Sequence, residues 1–304
     1  MTAVTPLTTT PDLVAEKPSA ASVAKKRLSS PWASLVAIVV AVLWTVPTFG
    51  LFISSFRPER AIKRTGWWTF FSDPQVTFDN YKAVFGAEGG INMADFFLNS
   101  LVICIPSVLI PLSLASLAAY AFAWIDFKGK NFLFIAIFAL QIVPLQVTLL
   151  PLLKIFVDIN LTGTFWMLWI AHSTFALPLA IYLLHNFMRE VPAGLIEAAR
   201  VDGAGHVSIF FKVMLPLLTP ALAAFGIFQF LWVWNDLLVA LVFAGGGNDV
   251  APITLALENL SGTRGTAWQL LSAGAFVSIA VPVVVFLLLQ RYFVRGLLAG
   301  SVKG

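Results

Sequence analysis

The sequence predicts an all-α integral membrane protein. Of its 304 residues, 59% are hydrophobic and 11% are charged, whereas a soluble domain carries about 25% charged residues. The mean hydropathy is +0.88. The apolar runs are long and unbroken rather than alternating, and this pattern favours membrane-spanning helices over the strands of a β-barrel.

Segments without Asp, Glu, Lys or Arg give the number of membrane helices. Each of these segments is longer than the roughly 20 residues that a helix needs to cross the hydrocarbon core. A further apolar stretch at 237–248 is too short and contains three consecutive glycines. The sequence therefore predicts six transmembrane helices, within the charge-free segments 28–56, 96–125, 131–153, 159–188, 213–235 and 265–290.

Residues 1–30 are rich in Thr, Ala, Ser and Pro and end with the basic run Lys25-Lys26-Arg27. This composition predicts a disordered tail in front of a membrane domain that covers 31–304. A cleaved signal peptide is excluded because the following apolar run is too long and lacks a small-residue cleavage site. Placing both termini in the cytoplasm puts twelve of the 19 Lys and Arg residues inside, as expected of a multi-pass cell membrane protein.

The external connections between the predicted helices differ in length. The segment 57–95 contains the aromatic run 67–71, which either anchors at the membrane interface or packs on the helix ends. A short link is predicted at 154–162. A loop at 242–264 contains several glycines and is expected to be flexible.

The cytoplasmic loop at 187–216 is predicted to contain two helical stretches. The first starts after Pro192 and ends at Gly203 and Gly205, because glycine takes a left-handed backbone conformation without strain. Its alanines allow a partner surface to approach closely. The second has an apolar stripe typical of an interfacial helix that rests on the membrane or on its own bundle as a brace, and prolines then mark the start of the fifth membrane helix. The stripe consists of Ile209, Phe210, Val213, Met214 and Leu217, and the prolines are Pro216 and Pro220.

The segment Glu197-Ala-Ala-Arg-Val-Asp-Gly-Ala204, with Phe211, Leu215-Pro216 and Pro220 downstream, resembles the EAA motif of permease subunits from bacterial ABC importers. Three further stretches are similar to carbohydrate permeases, in particular to the inner-membrane subunit of maltose transporters. The resemblance covers 31–304. The three stretches are Val143-Pro-Leu-Gln-Val-Thr-Leu-Leu-Pro151, Phe230-Leu-Trp-Val-Trp-Asn-Asp236 and Gly296-Leu-Leu-Ala-Gly-Ser-Val-Lys-Gly304.

This resemblance implies a coupling loop between helices 4 and 5 that docks on a cytoplasmic ATPase. The motif positions that would make this contact are Glu197, Ala198, Ala199, Asp202 and Gly203. The resemblance also implies a C-terminal tail that reaches into the ATPase dimer. The residues of this tail are Gly300, Lys303 and Gly304.

The resemblance further implies which molecules work with this chain in the bacterial inner membrane. ATP and Mg²⁺ would be bound by the partner ATPase, and this chain would hold no cofactor of its own. The implied partners are a second homologous permease, two ATPase subunits, an extracytoplasmic solute-binding protein, a sugar substrate and membrane lipid. The segment Gly66-Trp67-Trp68 after Ser55-Phe-Arg-Pro58 is similar to permeases for α-glucosides.

Polar residues inside apolar segments are costly and usually face a cavity or a neighbouring helix. Asn235 and Asp236 are flanked by Trp232 and Trp234, a combination suited to the hydroxyl groups and flat faces of a sugar. The alternatives are hydrogen bonds between helices and, for Asp236, a position at the outer water interface. The predicted substrate path consists of Gln141, Gln146, Asn235 and Asp236.

Several function classes are disfavoured by what the sequence lacks. It has no phosphate-binding Gly-x-x-x-x-Gly-Lys-Ser/Thr motif, so the chain is predicted to be a non-catalytic subunit. Its basic residues are dispersed between apolar segments, which does not indicate a nucleic-acid partner. The alternative of an ion-coupled secondary transporter requires ionisable residues in the middle of a span, and the six segments contain none. A membrane-embedded enzyme would need paired acids, metal ligands or a nucleophile, and no such group is apparent.

Overall fold

The computed structural model describes residues 31–86, 92–244, 247–260 and 267–301, with side chains given up to residue 290. Within these ranges the secondary structure is entirely helical, which confirms the predicted all-α fold. The described residues divide into two compact units, one of residues 31–49 and one that begins at Gly50. Residues 1–30, predicted to form a disordered tail, lie outside the described residues. The described residues of the first unit belong to helix α1, Pro31–Ser55, whose large apolar side chains are exposed as expected of a lipid-facing surface.

Five of the described helices are long and apolar enough to cross a membrane. Each is at least 23 residues long, whereas a membrane span requires roughly 20 residues. Short helices fill the connections: α2 is Glu59–Arg64, α3 is Asp79–Phe85, and a 3-10 turn covers Trp67–Phe71. The five spans are α1, α4 (Met93–Trp124), α7 (Phe165–Glu190), α9 (His206–Trp234) and the Trp268–Gln290 part of α12 (Trp268–Ser301).

The segment predicted as the third span is broken rather than straight. Helix α5, Lys130–Ala139, continues as a 3-10 turn to Ile142, and α6, Leu145–Asp158, then leaves at an angle of 104°. The break lies at Pro144, which has an extended backbone and no N–H to continue the helix. The segment 131–153 predicted as one span is thus interrupted at Pro144, and the two arms make a sixth span only if they are counted together.

The link predicted at 154–162 is shorter in the structure. Helix α6 runs through Lys154 to Asp158, because Lys154 is exposed and its charge does not stop the helix. The remaining link contains two left-handed residues, Asn160 with φ 57° and Gly163 with φ 71°. These two positions reverse the chain within a few residues before α7 begins.

The loop predicted to be flexible at 242–264 contains an ordered helix. Helix α10, Leu238–Phe243, precedes it, and α11, Ile253–Leu260, lies inside it. The Ile253 amide donates to the Ser100 hydroxyl at 2.7 Å, and the Asn99 side chain donates to the Ala251 carbonyl at 3.1 Å. These bonds hold α11 on α4, so the prediction is wrong for this part of the loop. Residues 245–246 and 261–266 lie outside the described ranges.

A buried arginine organises the segment that follows α1. Arg57 is 2% exposed, and its guanidinium donates to the Gly66 carbonyl at 2.9 Å and to the hydroxyls of Thr65 and Thr69 at 2.7 and 3.1 Å. The Asn80 amide donates to the carbonyls of Ser55 and Arg57, both at 2.9 Å. Residues 55–85 therefore form a folded cap.

The aromatic run 67–71 shows both arrangements expected from the sequence, packing on a helix end and exposure at the membrane interface. Trp67 packs so closely against Gly50 that a Cβ added to this glycine would lie 2.6 Å from the indole nitrogen of Trp67. Trp68 and Phe71 are instead 65% and 69% exposed. The first ring packs on a helix end, and the other two are placed as interfacial anchors would be.

Small residues let the central membrane helices approach closely. Ala115 and Ala119 of α4 and Ala176 and Ala180 of α7 are almost fully buried in one cluster. Close approach of helix backbones at small residues is the usual basis of packing in membranes, where apolar burial gives little drive for association. A second cluster at the other end of α4 and α7 surrounds Trp234.

Three prolines supply acceptors for bonds between helices. A proline has no N–H, so the carbonyl four residues earlier loses its partner in the helix. Each of these carbonyls accepts a side-chain donor from another helix. The donor–acceptor pairs are Trp169 to Val102 at 2.9 Å before Pro106, Gln229 to Ser107 at 3.3 Å before Pro111, and Trp234 to Ser278 at 3.1 Å before Pro282.

Candidate functional site

A short helix projects from the bundle between two membrane helices. Helix α8, Ala193–Val201, follows the extended residue Pro192 and lies between α7 and α9. Ile196 is its single buried residue. Leu195 and Val201 are 48% and 88% exposed. Apolar side chains exposed on a helix that is too short to cross a membrane are consistent with a contact surface for another protein.

The end of α8 is fixed by a glycine in the left-handed region. Gly203 has a φ of +82°, and its N–H donates to the Arg200 carbonyl at 2.9 Å. The Ala204 N–H donates to the Ala199 carbonyl, also at 2.9 Å. This pair of bonds is the Schellman arrangement that closes a helix C-terminus and turns the chain sharply away. The predicted helix end at Gly203 thus agrees with the structure.

The five predicted coupling residues lie together on α8 and its cap. Glu197, Ala198, Asp202 and Gly203 are exposed, whereas Ala199 is half-buried against the cluster that contains Ile196. A partner could therefore contact four of the five directly. Glu197 and Arg200, which are spaced to form an ion pair, do not pair in the described part of the chain.

The stripe after the glycines packs on the bundle itself, one of the two alternatives expected from the sequence, and it is continuous with the fifth membrane helix. Helix α9 begins at His206, and a π-helical turn at Phe210–Met214 precedes Pro216 and accommodates it without a break. Pro216 lies in the first turn of the α-helical segment Leu215–Trp234, as predicted, but the span as a whole begins earlier, at His206. Its buried residues Ile209, Phe210 and Met214 pack in the alanine-rich cluster of α4 and α7.

A hydrogen bond links the start of α9 to α4. The Tyr120 hydroxyl lies 3.0 Å from Nδ1 of His206, and the Tyr120 ring packs edge-on against Phe210. Because His206 follows Gly205 directly, this bond holds the chain just after α8. The contact position of α8 is thereby tied to the membrane bundle.

The C-terminal tail lies mostly beyond the described structure. Gly300 is in the last turn of the α12 backbone, whereas Lys303 and Gly304 are outside the described residues. The contact predicted for this tail stays a prediction.

Asp236 is primarily a helix cap. Its carboxylate accepts from the backbone N–H groups of Val239 at 3.3 Å and Ala240 at 3.1 Å, so it closes the start of α10. Its carbonyl accepts from the Thr254 hydroxyl at 2.6 Å, which connects α10 to α11. Nε2 of His172, a buried residue of α7, lies 3.9 Å from the carboxylate. Asp236 thus holds three elements together at the end of α9.

Two cavities share the indole of Trp232. One, of about 630 Å³, is lined by Gln141, Thr148 and Thr174 among others, and lies along the break between α5 and α6. The other, of about 660 Å³, is lined by Asn235 and Asp236. Three of the four predicted path residues therefore line cavities that share one aromatic ring.

The structure does not bring the fourth path residue to these cavities. Gln146 is exposed on α6 and lines neither of them. The sequence interpretation also missed Thr148 and Thr174, whose hydroxyls bond to carbonyls of their own helices at 2.7 and 2.8 Å. Thr174 lies four residues before Pro178, and that spacing was the available signal, because a proline frees the carbonyl at that position.

Comparisons with known proteins agree with this architecture. The family described as binding-protein-dependent transport system inner membrane components matches residues 108–298. The osmoprotective compounds uptake permease GgtD of Synechocystis is 54% identical over 88% of this chain and 90% of its own length. The α-glucoside transport permease AglG of Rhizobium meliloti is 48% identical over 86% of this chain and 70% of its own length.

A solved structure has the same fold. A chain of a bacterial ABC transporter involved in the import of alginate superposes with a TM-score of 0.68 at 21% identity, covering 87% of this chain and 98% of that one. The match of fold, sequence and family model is consistent along almost the whole membrane region. The chain therefore belongs to the binding-protein-dependent transport system inner membrane components and is a multi-pass, non-catalytic permease subunit of an ABC importer.

Proposed function

We propose that this permease moves a sugar or oligosaccharide of the α-glucoside type into the cell, with both of its termini in the cytoplasm. The observation that carries the coupling part of the proposal is helix α8, which exposes apolar and acidic residues and has a rigid end at Gly203. The substrate class is supported by the relatives whose names specify α-glucoside and trehalose transport, at 48% and 36% identity.

The complex would contain several other chains. Two ATPase subunits would bind ATP and Mg²⁺, a second permease would complete the membrane pathway, and a solute-binding protein would deliver the sugar outside. Residues Glu197 to Gly203 would contact the ATPase, and the tail at Gly300, Lys303 and Gly304 would add to this contact. ATP binding shifts the bundle between outward- and inward-facing states if α8 binds the two ATPase states with different affinity.

The substrate would pass beside Trp232. Sugars bind through hydrogen bonds from their hydroxyl groups and through stacking on aromatic rings, and a few convergent polar groups on an apolar wall set their orientation. The two cavities provide this combination with Gln141, Thr148, Asn235 and the indole. Asp236 is engaged in capping α10, so we assign it to shaping the cavity rather than to the main sugar contact.

The alternative of an ion-coupled secondary transporter is disfavoured. Such a transporter requires ionisable groups near the middle of its spans, and the charge-free segments of this chain contain no Asp, Glu, Lys or Arg. This chain instead belongs to a family of ABC importer components, in which a separate subunit would supply the energy.

Reversing the charge of Glu197 tests the coupling role. With the complete transporter reconstituted in vesicles, Glu197→Lys is expected to reduce ATP-driven uptake and ATPase co-purification about tenfold or more, because a misplaced charge in an interface costs several kcal/mol. The control is Asp73→Lys, which reverses the charge of an exposed residue in the folded segment 55–85 and should leave uptake unchanged. Normal uptake with Glu197→Lys would exclude α8 as the coupling element.

Removing the indole of Trp232 tests the substrate path. Trp232→Ala is expected to raise the KM for sugar uptake about three- to tenfold, the range that loss of one aromatic contact gives. Trp268→Ala removes an equally large but exposed ring and serves as the control. The sugar itself is identified by measuring which α-glucosides the partner binding protein retains. An unchanged KM in the Trp232 variant would place the sugar elsewhere.

A further inference from the structure

A third cavity, which the proposed transport path does not use, lies at the end of the bundle nearest α8. Its volume is about 680 Å³. It is formed where α4 ends at Trp124, where α5 begins at Lys130 and where α7 ends at Glu190. Because α4 and α7 are long and apolar enough to cross a membrane, we expect the cavity at their ends to lie at the depth where lipid headgroups meet water.

The cavity is rich in hydrogen-bond donors and positive charge. Lys130, Arg189, His185 and Asn131 line it, and Asp126 is the one acidic residue among its lining side chains. Lys130 lies 3.3 Å from that carboxylate and has a side chain only 20% exposed, whereas the carboxylate is fully open to solvent. A ligand phosphate placed in the cavity would meet at least two cationic groups within a partly desolvated space.

The other lining side chains are aromatic. The ring of Phe134 lies 4.4 Å from that of His185 and 5.5 Å from that of Phe122, measured between centroids. Phe132, on the α5 side, is 78% exposed. A cationic rim next to an exposed apolar wall fits an amphipathic ligand better than a fully soluble one.

We propose that this cavity binds the phosphate of an anionic phospholipid headgroup, with Lys130 and Arg189 as its cationic contacts and the phenylalanines beside its glycerol and acyl region. Basic pockets between membrane helices are typical sites for anionic headgroups. A free phosphate could use the same two cations, but it would leave the exposed phenylalanine wall without a contact. The proposal does not depend on which sugar is transported.

Lipid titration of the purified transporter tests this proposal. Native mass spectrometry would compare phosphatidylglycerol with zwitterionic phosphatidylcholine, and the wild-type complex should retain the first selectively. The double variant Lys130→Gln with Arg189→Gln is expected to weaken phosphatidylglycerol binding about 25-fold, from roughly fivefold for each cation near a membrane surface. Equal retention of both lipids by the wild-type complex would overturn the proposal.

Three further variants distinguish lipid binding at this cavity from general attraction by surface charge and from misfolding. Lys128→Gln changes an exposed lysine in the same turn that does not line the cavity, and it should have no effect. Asp126→Asn removes the one lining acid and should tighten phosphatidylglycerol binding about fivefold. The conservative pair Lys130→Arg with Arg189→Lys should retain binding within about twofold, since both charges remain. If Lys128→Gln weakened phosphatidylglycerol binding as much as the double variant does, the lipid would be attracted by general surface charge, and the proposal of a specific site would be wrong.

Inorganic phosphate distinguishes the two sources of the ligand. Phosphate added alone at millimolar concentration should not displace phosphatidylglycerol from the wild-type complex. Displacement by phosphate that is lost in the Lys130 and Arg189 double variant would identify a free phosphate site and overturn the assignment to lipid.

Discussion

Replacing Gly203 by proline is expected to abolish ATP-driven uptake while the membrane helices stay folded. Gly203 has a φ of +82°, and its N–H donates to the Arg200 carbonyl at 2.9 Å. Proline holds φ near −65° and has no N–H, so it can satisfy neither requirement. The lost bond costs about 1 kcal/mol, and the change of backbone region redirects the chain that joins α8 to α9. Helix α8 would thereby lose its fixed direction relative to α9.

The two glycines after α8 provide a matched comparison. Gly205 has an ordinary φ of −77°, and a Cβ added there meets nothing within 4 Å, so Gly205→Ala should transport normally. Gly203→Ala adds the same atom at a left-handed position, where the penalty is about 1–2 kcal/mol, and should give intermediate uptake. Uptake and ATPase co-purification would be measured on the reconstituted complex. Full activity in the Gly203→Pro variant would contradict a coupling role for this helix end.

Arg57→Ala is expected to give the largest loss of stability among single changes in the cap formed by residues 55–85. The guanidinium supplies three hydrogen bonds in a buried position, and without it the oxygens of Thr65, Gly66 and Thr69 lose their charged donor. Bonds to charged groups contribute about 1.5–3 kcal/mol each and are not additive, so a loss of about 3 kcal/mol is expected.

Local unfolding of the cap would be followed by limited proteolysis of the 57–86 segment and by the fluorescence of Trp67 and Trp68 during heating. Arg60→Ala, three residues later, removes an exposed arginine and should leave both measurements unchanged. Equal protease resistance in the Arg57 and Arg60 variants would show that the buried guanidinium does not hold the cap.

The spans were predictable because each contains a long uncharged segment, which a helix needs in order to cross the hydrocarbon core. The direction of a helix is not contained in its hydropathy. The segment 131–153 has the length and composition of one span, yet the backbone at Pro144 turns its two arms by 104°. A proline can kink a helix or end it, and only the packing of the neighbouring helices decides between these outcomes.

The ordered helix in the loop at 242–264 could not be predicted from local sequence. It is held by hydrogen bonds with α4 residues about 150 positions earlier, such as the bond that the Ile253 N–H donates to the Ser100 hydroxyl. The glycines around it indicate a loop, and the long-range bonds then order part of that loop. The same limit applies to Asp236, whose role as a cap depends on how the chain turns after α9.

The candidate coupling site was more predictable than the substrate path. The glycine at 203 and the alanines before it are consecutive in the sequence, so local rules locate the helix and its end. The cavities collect residues from distant helices, such as Gln141 and Trp232, and no local rule brings these two together. Sites built on one helix are therefore accessible to sequence analysis, whereas sites between helices require the packed structure.

The prolines of α4 and α12 have a consequence for how the bundle assembles. A helix inserted alone in the bilayer would leave the carbonyls of Val102, Ser107 and Ser278 without donors, and each such group costs several kcal/mol in hydrocarbon. Two of the three donors, Gln229 and Trp234, belong to α9. A shift of α9 by one residue would misplace both donors at once, so these carbonyls select one docking register. The helix that continues from α8 is thus also the one whose insertion completes the membrane core.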